Sequence, residues 1–247
     1  MIRATYRRVA TAFLLITFGI TLAAPAVSAS AAREPARARS AMVASQHELA
    51  SKIGVEVMRR GGNAVDAAIA VGIALAVVYP EAGNIGGGGF MLIRLKDGKT
   101  HAIDYREMAP AAAHRDIFVD KDGNVIRGEG GSTIGYRASG VPGTIAGFEM
   151  ALAKFGSGKL KWKDLIEPSI PLARDGYVLT NRLASLLEGY KEHLSKYPDS
   201  NRIFLNNGKY FKEGDLFKQP ELAMTLKRIA EKGPREFYEG ETAKLIA

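Results

Sequence analysis

From Ala64 to Tyr79 the chain is apolar at nearly every position, interrupted only by Asp66 and Gly72. A helix apolar all round cannot sit on a surface and must be buried on every side, as in the middle of a layered domain. A membrane span is the rival reading, but the run is too short and Pro80-Glu81 closes it. The flanks carry punctuation to match. Gly61-Gly62 ends a preceding amphipathic helix with Leu49, Ile53 and Val57 on one face, and Asn63 stands at the cap of the buried one. Ser45-Gln46-His47-Glu48 has capping-box spacing at the start of the first helix, after a short strand candidate at Ala41–Ala44.

Beyond the buried helix, Gly83–Pro110 holds four consecutive glycines and two strand patterns, Phe90–Lys96 and Lys99–Tyr105, about an Asp97-Gly98 turn. Met91, Ile93 and Leu95 point one way along the first strand, and Phe90 and Leu92 the other. A strand apolar on both faces is expected to be covered on both, with helices on each side of the sheet. Further along, Asp122-Gly123 and Asn206-Asn207-Gly208 mark two more hairpin candidates. Helical patterns begin at Thr144, Asp164, Thr180 and Pro220, the second split by Pro168 and Pro171, and a last one starts at Glu241. No stop signal follows Ile246, so the expectation is an element cut in its middle.

At the other end, Arg3, Arg7 and Arg8 precede an apolar Val9–Ala24 and a small-residue Val27-Ser28-Ala29. That order reads as a secretory signal over residues 1–29, followed by a flexible connector over 30–40 and one domain over 41–247. The product is then secreted or periplasmic, with no stable membrane span once the signal is removed. Exported with no cysteine, the fold draws its stability from its core rather than from disulfides. Net charge is +8, and removing the leader's three arginines leaves 8 − 3 = +5. The remaining cations are interspersed with Asp and Glu, so no nucleic-acid partner is expected.

The Gly86–Gly89 run invites a phosphate-cradle reading, but phosphate loops pass from a strand into a helix and carry a Lys-Ser/Thr pair. Here the order is helix, glycines, strand, and the glycines are read as letting this backbone pass close to another strand or a ligand. His47, His101, His114 and His193 lack ligand spacing, so no metal is expected, and no motif calls for a cofactor. No Gly-x-Ser-x-Gly elbow occurs, and no carboxylate pair suggests a two-carboxylate mechanism. Arg106 differs. At the exit of a strand expected to be buried on both faces, a cation is costly unless something negative meets it. Its planar fork suits a substrate carboxylate, while the plainer alternative is a structural ion pair with Asp104 or Glu107.

Three runs then act together: Arg59-Arg60-Gly61-Gly62-Asn63-Ala64-Val65-Asp66-Ala67-Ala68, Gly83-Asn84-Ile85-Gly86-Gly87-Gly88-Gly89-Phe90, and Asp104-Tyr105-Arg106-Glu107-Met108-Ala109-Pro110. With Gly140-Val141-Pro142-Gly143-Thr144, Leu172-Ala173-Arg174-Asp175-Gly176 and Phe237-Tyr238-Glu239-Gly240 they resemble, in order, the γ-glutamyltranspeptidase family. The resemblance implies an α/β fold, the N-terminal-nucleophile hydrolase αββα sandwich, incomplete without its small-subunit half. It implies a secreted precursor that cleaves itself into a large and a small subunit. The small subunit's new N-terminal threonine attacks the γ-glutamyl amide of glutathione, and the acyl group passes to water or to an amino-acid or peptide acceptor. By the same resemblance Arg106 holds the glutamyl α-carboxylate. No Thr-Thr-His-like segment occurs in these residues, so no catalytic residue is expected in this chain, which is read as the front part of a large subunit and inactive alone. Two alternatives stay open: a cephalosporin or polyglutamate acylase of the same fold, and a truncated exported protein that only binds or scaffolds.

Overall fold

The buried helix dictates the arrangement. In a computed structural model that describes residues 35–247, it spans Ala64–Val78 (α2), and most of its residues are buried, Ile69, Ile73 and Val77 completely. Ser40–Ala247 form one compact unit. The expected signal segment and residues 30–34 of the connector lie outside the described residues.

Asn63 starts α2 as a reciprocal capping box. Its side chain accepts the Val65 and Asp66 backbone N–H groups at 2.8 and 3.0 Å, and Asp66 accepts the Asn63 N–H at 2.8 Å. The far end is satisfied from across the fold, where Gln219 Nε2 donates to the Val77 carbonyl at 2.8 Å. Around α2 pack α1 (Glu48–Arg59), α3 (Thr144–Phe155), α4 (Trp162–Ile166) and α5 (Ser169–Arg174). The break between α4 and α5 falls where Pro168 forbids a continuous ladder. One stripe of α2, Ala64, Ala68, Gly72 and Leu75, is less covered than the rest; these residues recur every three or four positions and so share a face.

Strands β1 (Phe90–Arg94) and β2 (Thr100–Asp104) pair antiparallel, Met91 opposite Ile103 and Ile93 opposite His101. Their turn is one residue longer than the sequence suggests. Leu95 and Lys99 pair across Lys96-Asp97-Gly98, with Gly98 at φ +86°, a left-handed position that glycine takes without cost. Ile93 and Ile103 face the core, whereas Phe90 and Leu92 are 65% and 85% exposed. The sheet is therefore covered on one face only within the described residues, not on both as the two-faced apolar pattern implied.

Further on come β3 (Tyr177–Val178), α6 (Asn181–Gly189), α7 (Lys191–Leu194), α8 (Pro198–Phe204) and β4 (Leu216–Phe217), with β3 and β4 antiparallel. The helices α9 (Pro220–Lys232), α10 (Arg235–Glu239) and α11 (Glu241–Ile246) end the chain. Pro198 opens a helix instead of closing one, since a first-turn proline gives up no hydrogen bond. The hairpin expected at Asn206-Asn207-Gly208 is a 3-10 turn after α8, with both asparagines at left-handed φ of +51° and +55°. The Asp122-Gly123 hairpin is reduced to a single bridge between Val119 and Val125. Ala41–Ala44 forms no strand, and His47 rather than Ser45 caps α1, because the Ser45 hydroxyl sits against Ser51 at 2.8 Å. Among the described residues no helix is long and apolar enough to cross a membrane.

Candidate functional site

Arg106 lies two residues past the end of β2, and its backbone is enclosed by glycines. A Cβ on Gly88 would stand 2.8 Å from the Arg106 Cα, 2.7 Å from the Glu107 nitrogen and 2.5 Å from the Tyr105 carbonyl oxygen. No side chain fits there, so Gly88 is required by close approach. On the other side, Met108 and Val141 form an antiparallel bridge, and a Cβ on Gly140 would lie 2.9 Å from the Glu107 Cβ. Within the four-glycine run Gly88 packs against the backbone that delivers Arg106, while a Cβ on Gly89 would meet the Tyr105 ring and one on Gly87 the Asn84 side chain. Gly86 is the exception, with nothing within 4 Å of where its Cβ would be.

The glycine run is tied in turn to the start of α3. The Gly87 carbonyl accepts N–H groups from both Gly143 and Thr144, at 2.8 and 3.1 Å, which satisfies two of the donors a helix leaves free at its N-terminus. The Thr144 hydroxyl donates to Asn84 Oδ1 at 2.7 Å. Thr144 is therefore the first helical residue and not the cap; Gly143 holds that place. Tyr238 braces the same end from α10, donating to the Pro142 carbonyl at 2.9 Å and accepting from the Ala146 N–H at 3.1 Å. Burial pushes its phenol pKa up, only partly offset by that N–H. Tyr105 packs edge-on against Phe148, its phenol also raised by burial.

Fixed as its backbone is, the Arg106 side chain is exposed and makes no ion pair among the described residues. Asp104 uses its carboxylate on the Arg106 backbone N–H, at 3.0 Å. The premise that the strand buries this cation is therefore corrected: the open face of the sheet leaves Arg106 in solvent. A cavity of about 200 Å³ under the glycine run is lined by Asn84, Gly88, Tyr105, Thr144 and Phe148. An apolar groove of about 400 Å³ runs along the less covered stripe of α2, past Phe90 and Met91.

The four histidines are dispersed. His47 caps α1 and His101 stacks on Phe155 with ring centroids 4.7 Å apart. Among the described residues no three His, Asp or Glu side chains gather as metal ligands would. Sequence reasoning singled out Arg106 and missed the contacts made around its mount by Asn84, Thr144 and Tyr238. The advance signal was that all three fall within the motif runs that carry the resemblance.

Residues 50–247 match the family model described as Gamma-glutamyltranspeptidase. The chain is 48% identical over its whole length to a glutathione hydrolase proenzyme of Escherichia coli K12, of which it spans 43%. It also superimposes on the gamma-glutamyltranspeptidase of Helicobacter pylori with a TM-score of 0.81 and 46% identity, over 86% of this chain and 60% of that one. On the gamma-glutamyltranspeptidase from Pseudomonas nitroreducens the TM-score is 0.76 at 43% identity, over 85% of this chain and 60% of that one. The α/β class and the N-terminal-nucleophile hydrolase fold are those of these solved structures, with only part of their length represented. Fold, motif order and family match agree: the chain belongs to the gamma-glutamyltranspeptidase family.

Proposed function

We propose that this chain supplies the substrate-carboxylate wall of a glutathione hydrolase and γ-glutamyltransferase precursor, with Arg106 gripping the α-carboxylate of the γ-glutamyl group. The observation that carries the reading is an exposed guanidinium with no carboxylate partner among the described residues, on a backbone packed closely against Gly88. A bidentate guanidinium–carboxylate pair fixes both the position and the orientation of the bound group. Orientation held by a rigid mount lets a nucleophile placed elsewhere find the γ-carbonyl. In this reading the nucleophile is an N-terminal threonine in the rest of the precursor. Its hydroxyl attacks the γ-carbonyl and its own α-amine takes the proton. The amide nitrogen leaves as a protonated amine, and the ester formed is released by water or by an acceptor amine. Residues 1–29 direct the precursor out of the cytoplasm, to the periplasm or medium, and are removed after Ala29.

The test is Arg106→Ala in the complete precursor containing this region. KM for a γ-glutamyl anilide rises by a factor corresponding to roughly 2–5 kcal/mol, the cost of stripping one partner from a hydrogen-bonded charge pair. Turnover of the 4-aminobutyryl anilide, which lacks only the α-carboxylate, is unchanged. An unaltered KM for the γ-glutamyl substrate in folded, self-processed protein overturns the assignment. N-terminal sequencing of the exported product checks the leader, with Ser30 as the expected first residue.

A further inference from the structure

We infer that Thr144 and Asn84 are positioning residues for Arg106, acting through the glycine run as a latch between the α3 N-terminus and the carboxylate-binding arginine. The inference rests on the reading of Arg106 given above and adds to it the residues that set the arginine's place. The Thr144 hydroxyl is buried and donates to Asn84 Oδ1 at 2.7 Å, closing the loop that begins at Asn84. Within that loop the Gly87 carbonyl is held by the Gly143 and Thr144 N–H groups. The next residue, Gly88, lies directly against the backbone of Tyr105, Arg106 and Glu107.

The contacts form a closed ring. From Arg106 they pass to Gly88, along the chain to Gly87, across two hydrogen bonds to Gly143 and Thr144, and back to the Tyr105 carbonyl, against which Gly143 packs. Backbone hydrogen bonds at Gly87 and between Gly89 and Tyr105 hold the far end of the loop. At its near end the side-chain bond between Thr144 and Asn84 ties the first turn to the start of α3. Loosening it lets Gly88 and Arg106 move together. The predicted signature is loss of α-carboxylate recognition without loss of the chemistry.

The experiment uses the complete precursor, with Thr144→Val, which keeps the shape and removes the hydroxyl, and Thr144→Ser, which restores the hydroxyl. Thr144→Val is expected to raise KM for a γ-glutamyl anilide roughly tenfold, about the worth of one buried hydrogen bond, with kcat within about twofold. Thr144→Ser returns KM to the parent value. The 4-aminobutyryl anilide, without an α-carboxylate, is turned over equally by all three proteins. In an Arg106→Ala background, Thr144→Val adds nothing further, since a residue acting through the arginine has nothing left to act on. Should Thr144→Val not fold, Asn84→Ala removes the acceptor from a half-buried site and carries the same expectations.

The outcomes separate the two ideas. If Arg106→Ala raises KM but Thr144→Val and Asn84→Ala do not, the latch is wrong and the arginine assignment stands. If the Thr144 variant slows both substrates equally, alongside a lowered melting temperature that serine does not rescue, the role is structural and the latch is overturned. If Arg106→Ala itself leaves KM unchanged, both fall together.

Discussion

The Asp66 carboxylate reaches across 91 residues of sequence to accept the Ser157 backbone N–H at 3.0 Å, while accepting the Asn63 N–H at 2.8 Å. It is fully buried at the start of α2, and Asn63 Nδ2 donates to the Phe155 carbonyl at 2.7 Å beside it. One capping box therefore ties the start of the central helix to the end of α3. Asp66→Ala strands two backbone N–H groups at once, and an unsatisfied buried donor costs about 1–3 kcal/mol. The variant is expected to lose that much or more in urea unfolding. A midpoint unchanged from the parent would show that the carboxylate is not holding the two helices together.

The glycine run separates packing from conformational freedom. Gly88 has no room for a methyl group, Gly86 has open space around it, and neither is at a left-handed φ. Gly88→Ala is expected to destabilise by roughly 1–3 kcal/mol through overpacking against the Arg106 backbone. Gly86→Ala is expected to stay within about 0.5 kcal/mol of the parent. Thermal melts of the two variants side by side check the contrast. Equal effects would mean that the run is not packed as described.

Legibility in the sequence followed the range of the forces involved. Local signals read well: the Asn63 cap, the all-round apolar α2, the Asp97-Gly98 turn and the division of α4 from α5 at Pro168 are each set by neighbours a few residues away. Cover over the sheet read badly. Phe90 and Leu92 state that their face dislikes water, but no pattern within β1 tells which segment shields it. Arg106 was visible as chemistry in want of a partner and was given weight by its resemblance motif. Asn84 and Thr144 stood in motif runs too, but their pairing was not visible, because the bond joins residues 60 apart and two ordinary polar side chains carry no mark of being paired.

The open face of β1 and β2 predicts behaviour in solution. Among the described residues, Phe90, Leu92 and the unpaired edge of β1 present both apolar surface and free ladder groups, a template for association with other strands. Leu92→Lys places a charge on this face where the side chain touches little. It is expected to reduce light scattering by the 247-residue chain while stability moves by no more than about 0.5 kcal/mol. Undiminished scattering would place the association surface elsewhere.

Acid should weaken the start of α1 through His47. Its Nδ1 accepts the Leu49 N–H at 3.2 Å, a bond available only while that nitrogen carries no proton. Burial, including an edge-on contact with Tyr177, lowers the imidazole pKa and outweighs the carboxylates of Glu48 and Glu81, which act to raise it. The folded state therefore binds the proton less readily than the unfolded chain, whose histidine titrates near about 6.5. Stability from this group is complete above that value and is lost as pH falls through the lower, folded pKa, with no further loss below it. The cap is worth roughly 0.5–2 kcal/mol. His47→Asn caps without titrating, so its urea midpoint is expected to fall less than the parent's between pH 7.5 and pH 5. Parallel pH dependence in the two proteins would assign the acid sensitivity to other groups.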